Sequence, residues 1–369
     1  MEWAQPPVLD RVTNEHRPLA PRDAASVRGA VQSALGSLLA GNDKVRTEGV
    51  KLAAKYGITE VGPELAKLLA DQEQSSKVRV ESLKALGALK SPLLPSAVDT
   101  GLKDNDPPLR SEARRLLSTT DPDRAVVEFE AVLIQGTPSE QQSAVRVLAG
   151  LKSADAEAVL ATQLKTLAAG KLAPEVELDL LEAVEVRQSK ALSASLASYL
   201  KTRPQADVLA AHQECLSGGD AERGREVFFG NAAASCRRCH KVGDQGGTAG
   251  PDLSAVALNP DGKSKPRLEL LESILLPNAK IAKGFDTVVL VTDDGLAYTG
   301  VLREETAEVV KLMTSTGEVI SVPTKKIEDR ARGKSGMPED VSKGLTKRDL
   351  RDLVEFLSQQ VTPADPAKH

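Results

Sequence analysis

The feature that most restricts the fold is a repeat. Leu83-Lys-Ala-Leu-Gly-Ala-Leu-Lys-Ser91 returns as Val145-Arg-Val-Leu-Ala-Gly-Leu-Lys-Ser153, 62 residues on, or two steps of 31. Arg79 and Arg110 are also 31 apart, and Val45-Arg46 precedes Val78-Arg79 by 33. A drifting period of this length, with two amphipathic helices per unit, signals an α-solenoid. No unit buries its apolar stripe alone, and stacking completes the core. Aromatic residues make up only 2% of the chain and Ala and Leu are abundant, which favours helices over a β-sandwich. The repeats are expected over 22–205, behind an extended segment at 1–21; an irregular helical bundle is the bland alternative.

These residues resemble HEAT repeats, which put Val-Arg or a similar pair early in the second helix of each unit. The rest of the composition excludes more than it proposes. Net charge is −4, with both signs interspersed. No basic block points to nucleic acid and no polybasic face to a membrane. No apolar run reaches the roughly 18 residues of a transmembrane helix. Met1 to Ala20 has no basic stretch followed by an apolar one, so it does not read as a signal peptide.

The repeats end near Pro204. A linker is expected at 206–217, with Gly218-Gly219 as a flexible joint, and a second unit at 218–361 that opens with Asp220 as N-cap of a helix from Ala221 to Phe229. The chain has three cysteines, Cys215, Cys236 and Cys239, too few for a disulfide framework at this length. Two of them fall in Cys236-Arg237-Arg238-Cys239-His240. The two thiols of such a motif can add to the two vinyl groups of a haem, with the adjacent imidazole against the iron.

Four further features lie around the motif. Gly224 and Phe228, at i and i+4, share a helix face where a second helix can cross closely. Gly250-Pro251-Asp252-Leu253 fixes an extended turn whose carbonyl can accept the Nδ1–H of His240. Gly336-Met337-Pro338 is a loop that offers a thioether sulfur as sixth iron ligand. Thr346 to Gln359 reads as a helix, capped by Thr346 with Asp349 at N3, with Leu345 able to staple to Leu350. Its stripe is Leu350, Leu353, Val354 and Leu357, with Phe356 beside it.

In this order the segments resemble a class I cytochrome c. The resemblance implies one covalent haem c per chain, held by Cys236 and Cys239. It makes His240 the proximal and Met337 the distal iron ligand. Gly250, Pro251 and Leu253 would support the pocket, and Gly224 and Phe228 would cross the helix of Phe356. His240 and Met337 are 97 residues apart, more than a simple cytochrome c needs, and an insert at 284–330 fills the difference. Asp286 to Thr292 and Tyr298 to Leu302 read as strands around the turn Asp293-Asp294-Gly295, and Val309 to Leu312 and Val319 to Val322 as a second hairpin around Thr316-Gly317. A helix Arg267–Leu276 precedes this four-stranded antiparallel unit, and a disordered tail at 362–369 ends the chain. The whole of 205–360 resembles the haem-binding C-x-x-C-H domain of planctomycete and verrucomicrobial proteins, which often follows helical repeats and a propeller-like dehydrogenase domain.

The expected fold is therefore mainly α: a HEAT-like solenoid, then a cytochrome c-like helical domain with a small antiparallel β insert. The expected function is single-electron transfer, without catalysis by the domain itself, for a dehydrogenase or other redox partner. The chain would be the C-terminal portion of a longer, exported protein, periplasmic or similar. Other readings stay open. His212, Cys215, Cys236 and Cys239 have the spacing of a zinc ribbon in a helical-repeat interaction protein. A haem enzyme results if Met337 leaves the sixth position open. Arg237 and Arg238 would lower the pKa of a redox dithiol, but no βαβ context accompanies it.

Overall fold

A computed structural model describes residues 24–204, 206–314 and 317–362. The segment expected to be extended at 1–21 and the tail from 363 onward lie outside the described residues, as do His16, Thr316 and His369. The protein is mainly helical, with one small antiparallel sheet. Contacts group the chain into two compact units, Met1–Ala131 and Val132–His369.

The first unit holds α1 (Ala24–Leu39), α2 (Asp43–Lys55), α3 (Gly62–Ala70), α4 (Ser76–Ala88), α5 (Leu94–Leu102), α6 (Pro107–Thr120) and most of α7 (Pro122–Gln135). Starts are marked by Asn42 as N-cap of α2 and by prolines in the first turns of α3, α5 and α6, where a missing N–H costs nothing. α1 packs on α2, α3 on α4, α4 on α5 and α5 on α6, and α2 packs on α4 and α4 on α6 as well. The core between them is aliphatic, with Val50, Leu65, Leu83, Leu86 and Leu109 fully buried.

The repeated arginines stitch these pairs. Arg46 Nε donates to Leu39 O at 2.8 Å and its Nη1 to the Gln74 side chain. Arg79, buried, donates from Nε to Leu69 O at 2.9 Å and holds Asp104 through both terminal nitrogens. Arg110 Nη1 reaches Asp104 O at 2.8 Å. Arg46 and Arg79 each satisfy a carbonyl at the end of the preceding helix, which would otherwise be orphaned, and reach a polar side chain further along.

The second unit contains α8 (Pro138–Gly150), α9 (Ala154–Ala168), α10 (Pro174–Arg187) and α11 (Lys190–Lys201), with α8 on α10 and α9 on α11. It continues with α12 (Ala221–Gly230), α13 (Cys236–Cys239), β1 (Lys241–Val242), β2 (Gln245–Gly246), α14 (Arg267–Leu275), five strands, and α15 (Lys347–Ser358). The strands are β3 (Asp286–Thr292), β4 (Ala297–Glu305), β5 (Val309–Met313), β6 (Val319–Pro323) and β7 (Ile327–Ser335), in the order β6-β5-β4-β3-β7. The insert is thus five-stranded, not four-stranded, and runs to Ser335. The missed strand, β7, is a polar edge: Glu328, Asp329, Arg330 and Arg332 are exposed. Edge strands carry such charges because they block further pairing.

The segment expected to link the units, 206–217, contains a 3₁₀ helix, Ala210–Cys215, in which Glu214 and Cys215 are buried. Gly218 and Gly219, expected to hinge, are packed tightly. A Cβ on Gly218 would lie 2.4 Å from Glu175 O, and one on Gly219 2.5 Å from Arg351 O. Gln142 Nε2 bonds both Glu175 O at 2.7 Å and Gly218 O at 2.8 Å. Asp179 of α10, fully buried, accepts from Arg146 at 2.6 Å, Arg348 at 2.9 Å and Arg351 at 2.7 Å. Burial works to raise its pKa, and Arg351 and Arg348 overcome this, so its carboxyl lies below the usual range. The helix pair α8–α10 and the C-terminal helix share one ion network centred on the buried Asp179 carboxylate. At the far end, Thr362 N donates to Ser254 O at 3.1 Å, so the first residue of the expected tail is hydrogen-bonded to the domain.

Candidate functional site

The scaffold is the crossing of α12 and α15. Asp220 caps α12 by accepting from Glu222 N and Arg223 N, and its own N–H donates to Asp352 Oδ1 at 3.0 Å. Thr346 and Asp349 form a capping box at α15. At the crossing, a Cβ on Gly224 would lie 1.9 Å from Asp352 O and 2.7 Å from Phe356 Cβ. Phe228 and Phe356 meet with ring centroids 5.7 Å apart, and Phe229 lies against Phe228 at 4.9 Å. The structure brings Gly224, Phe228 and Phe356 together. Their core continues through Cys215, Leu271, Leu350, Leu353 and Val354.

From α12 the chain turns through Asn231, whose side chain accepts from Ala233 N and Ala234 N, both at 2.9 Å. Ser235 takes a left-handed conformation, φ 48°, and α13 follows as a single turn. Cys236 and Cys239, at i and i+3, share one face of it. Both are free thiols and half-buried. Cys236 packs against the apolar core together with Leu253, Val242, Val256 and Leu345.

His240 ends this turn. Its Nδ1 lies 3.0 Å from Pro251 O. A carbonyl only accepts, so Nδ1 carries the proton and the neutral ring keeps its lone pair on Nε2. Burial lowers the imidazole pKa, against the opposing pull of the Pro251 bond. Gly250 makes room for it: a Cβ there would lie 2.8 Å from His240 Cε1. Gly250 N donates to Cys239 O at 2.7 Å and Leu253 N to Lys241 O at 2.8 Å. Gly250, Pro251 and Leu253 therefore all surround the motif.

Two residues of this cradle escaped the sequence reading. A Cβ on Gly247 would lie 2.1 Å from Arg238 O, and Gly246 has φ 118° with a would-be Cβ 2.1 Å from His240 O. The Gly246-Gly247 pair, placed between the motif and the Gly-Pro turn, was the available signal for a tight return.

Met337 follows β7 by two residues. Its N–H donates to Ser335 Oγ at 3.2 Å. The side chain is half-buried and lines an open cleft of about 630 Å³ with Asn278, Lys334, Ser335 and Lys343.

Other candidate groups are not assembled in the same way. Cys215 Sγ faces Lys347 O at 3.3 Å inside the core, and burial pushes its thiol up to about 12. His212 Nδ1 engages Val208 O at 2.8 Å. Among the described residues no three His, Cys, Asp or Glu side chains come together to hold an ion, so His212 and Cys215 do not join Cys236 and Cys239. The dithiol reading fares no better on charge. Burial raises the Cys236 pKa, while Arg237 and Arg238 are exposed; a reactive dithiol needs the opposite shift.

The two thiols and the imidazole are donors on one short stretch of chain, whereas the Met337 thioether lines a cleft to which no residue of the motif contributes. No family model matches the chain, and no curated protein matches it in sequence. Among the described residues no helix is long and apolar enough to cross a membrane.

Proposed function

We propose that residues 218–361 form a class I cytochrome c-like domain that binds one haem c and relays single electrons. Cys236 and Cys239 would hold it by thioether bonds, with His240 Nε2 and Met337 Sδ as iron ligands. The observation that carries this reading is the His240–Pro251 hydrogen bond, which commits Nδ1 and presents Nε2 as the donor beside two thiols on one helical turn. Bound there, the group supplies a one-electron iron couple, with a potential raised by His/Met ligation.

The chain's own residues do the rest. Pro251 fixes the tautomer and the orientation of the imidazole. Gly250 lets the loop close over the ring face. Phe228, Phe356 and the leucines of α15 exclude water on the core side. Arg237 and Arg238 remain on the solvent side of the turn.

The helix pairs ahead of this domain are read as HEAT-like repeats of an α-solenoid, serving as a docking scaffold for a redox protein or dehydrogenase domain. Support comes from the alternate-helix packing within each unit and from arginines that recur at one structural station. Covalent attachment of haem implies export from the cytoplasm.

The test is spectroscopic. The chain is expressed behind a periplasmic leader with a haem-attachment system, and the denatured product is examined as its pyridine haemochrome. A c-type spectrum, lost in Cys236→Ala/Cys239→Ala, is expected. A product with no Soret band that carries one zinc overturns the proposal. A c-type product whose ferric form lacks the weak far-red band of iron–thioether ligation moves the reading to an open sixth position and a haem enzyme.

A further inference from the structure

The five-stranded sheet lies in sequence between His240 and Met337, and one side chain ties it to the loop behind the motif. Arg303, on β4, donates from Nη2 to Thr248 O at 2.9 Å. Its guanidinium also lies over the Phe285 ring, 5.2 Å from the centroid. We propose that Arg303 is a positioning residue: it clasps the sheet to the 241–250 loop and so sets where Met337 stands relative to His240. This rests on the haem reading above and adds to it the device that registers the two ligands.

Each end of the link is hydrogen-bonded into its own element. On the motif side, Thr248 is flanked by anchored residues. Gly247 N donates to Arg237 O at 2.9 Å and Gly250 N to Cys239 O at 2.7 Å, and Gly250 touches the His240 ring. On the sheet side, Phe285 precedes β3, and β3 pairs with both β4 and β7. Asp286 opposes Ser335, Ser335 N donates to Asn278 Oδ1 at 2.7 Å, and Met337 N donates to Ser335 Oγ. A Cβ on Gly336 would sit 3.7 Å from Thr287 and 3.9 Å from Val301. The backbone of Met337 therefore moves with the sheet, and Arg303 ties that sheet to the motif loop.

The charged donor and the cation–π contact are both solvent-facing, so together they bias a ligation equilibrium and do not fix it. Loss of both contacts should change the ratio of thioether-ligated to unligated iron by about tenfold. Arg303→Ala should bind haem covalently as the wild type does, with an unchanged haemochrome and far-ultraviolet circular dichroism. Its far-red thioether band should weaken and its reduction potential should fall. Arg303→Lys, which can donate but is not planar, should recover part of the band. Phe285→Leu should lose part of it. In the haem-free chain, hydrogen exchange at 241–250 should rise in Arg303→Ala and stay unchanged in Met337→Ala.

The outcomes separate the two proposals. A wild type that attaches no haem overturns the proposed function, and the exchange data alone then judge the clasp. A haem-loaded wild type without the thioether band overturns both the Met337 assignment and this role for Arg303. A band and a potential unaltered in Arg303→Ala overturn the inference while leaving the haem reading intact. Unaltered exchange at 241–250 overturns it as well.

Discussion

Asp104 shows what one side chain does in the first unit. Hydrogen bonds from Arg79 hold its carboxyl at about 2, below the ordinary 3.8, against the cost of burial. A carboxyl depressed in the folded state stabilises at pH values above its ordinary pKa, and the stabilisation fades as pH falls through the folded value. The first unit should therefore lose on the order of 2 kcal/mol between about pH 4 and pH 2 from this group. Urea midpoints across that range should fall in the wild type and stay flatter in Asp104→Asn, which starts lower because Arg79 is left buried without its anion. The sequence made Arg79 visible by its spacing, but not Asp104, which lies 25 residues away and carries no periodic signal. The candidate site divides the same way. Cys236, Cys239, His240, Gly250 and Pro251 were legible because motif and turn chemistry are local. Arg303 was not, because its partner, the Thr248 carbonyl, is a backbone atom that no residue type announces.

At the level of elements, caps and periods did most of the work. Thr346 with Asp349, and Asp220, announced the starts of α15 and α12, and the structure has both caps. Thr346→Ala should cost about 1 kcal/mol of unfolding free energy, with Asp349→Ala no worse and the double variant less than additive, since the two side chains satisfy each other's donors. Equilibrium urea unfolding followed by circular dichroism reads this. The strands β3, β4, β5 and β6 announced themselves by β-branched runs between glycine turns; Gly295 and Gly317 both have positive φ. Ile327-Glu-Asp-Arg-Ala-Arg-Gly-Lys-Ser335 gave no such signal. An edge strand with one apolar neighbour and a row of charges has no hydrophobic alternation to read. Its Gly333 is required by packing, since a Cβ there would lie 2.2 Å from Thr287 Oγ1. The tight Gly218-Gly219 passage was misread for the converse reason. A glycine pair signals freedom in isolation, whereas here the opposing backbones of Glu175 and Arg351 leave no room for a Cβ, and Gly218 also holds a φ of 77°.

For the whole molecule, Asp179 is the decisive group. Arg351, 3% exposed at its side chain, has this carboxylate as its anchor across 172 residues of chain. Asp179→Ala would leave Arg351 buried beside Asp352 alone and should cost about 3–5 kcal/mol. Hydrogen exchange should rise together in α10 and α15, and an effect confined to α10 would show that the two halves of the second unit fold separately. The same network has a consequence for how such chains vary in length. In the first unit the arginines find their carbonyls and acids within a neighbouring helix pair, so a pair can be duplicated or lost there without stranding a charge. Past α10 that freedom ends, because the carboxylate that would greet a further pair is already bound to Arg348 and Arg351. Homologues should therefore differ in the number of helix pairs ahead of α8 and hold the interval from Asp179 to α15 nearly constant, growing at one end only.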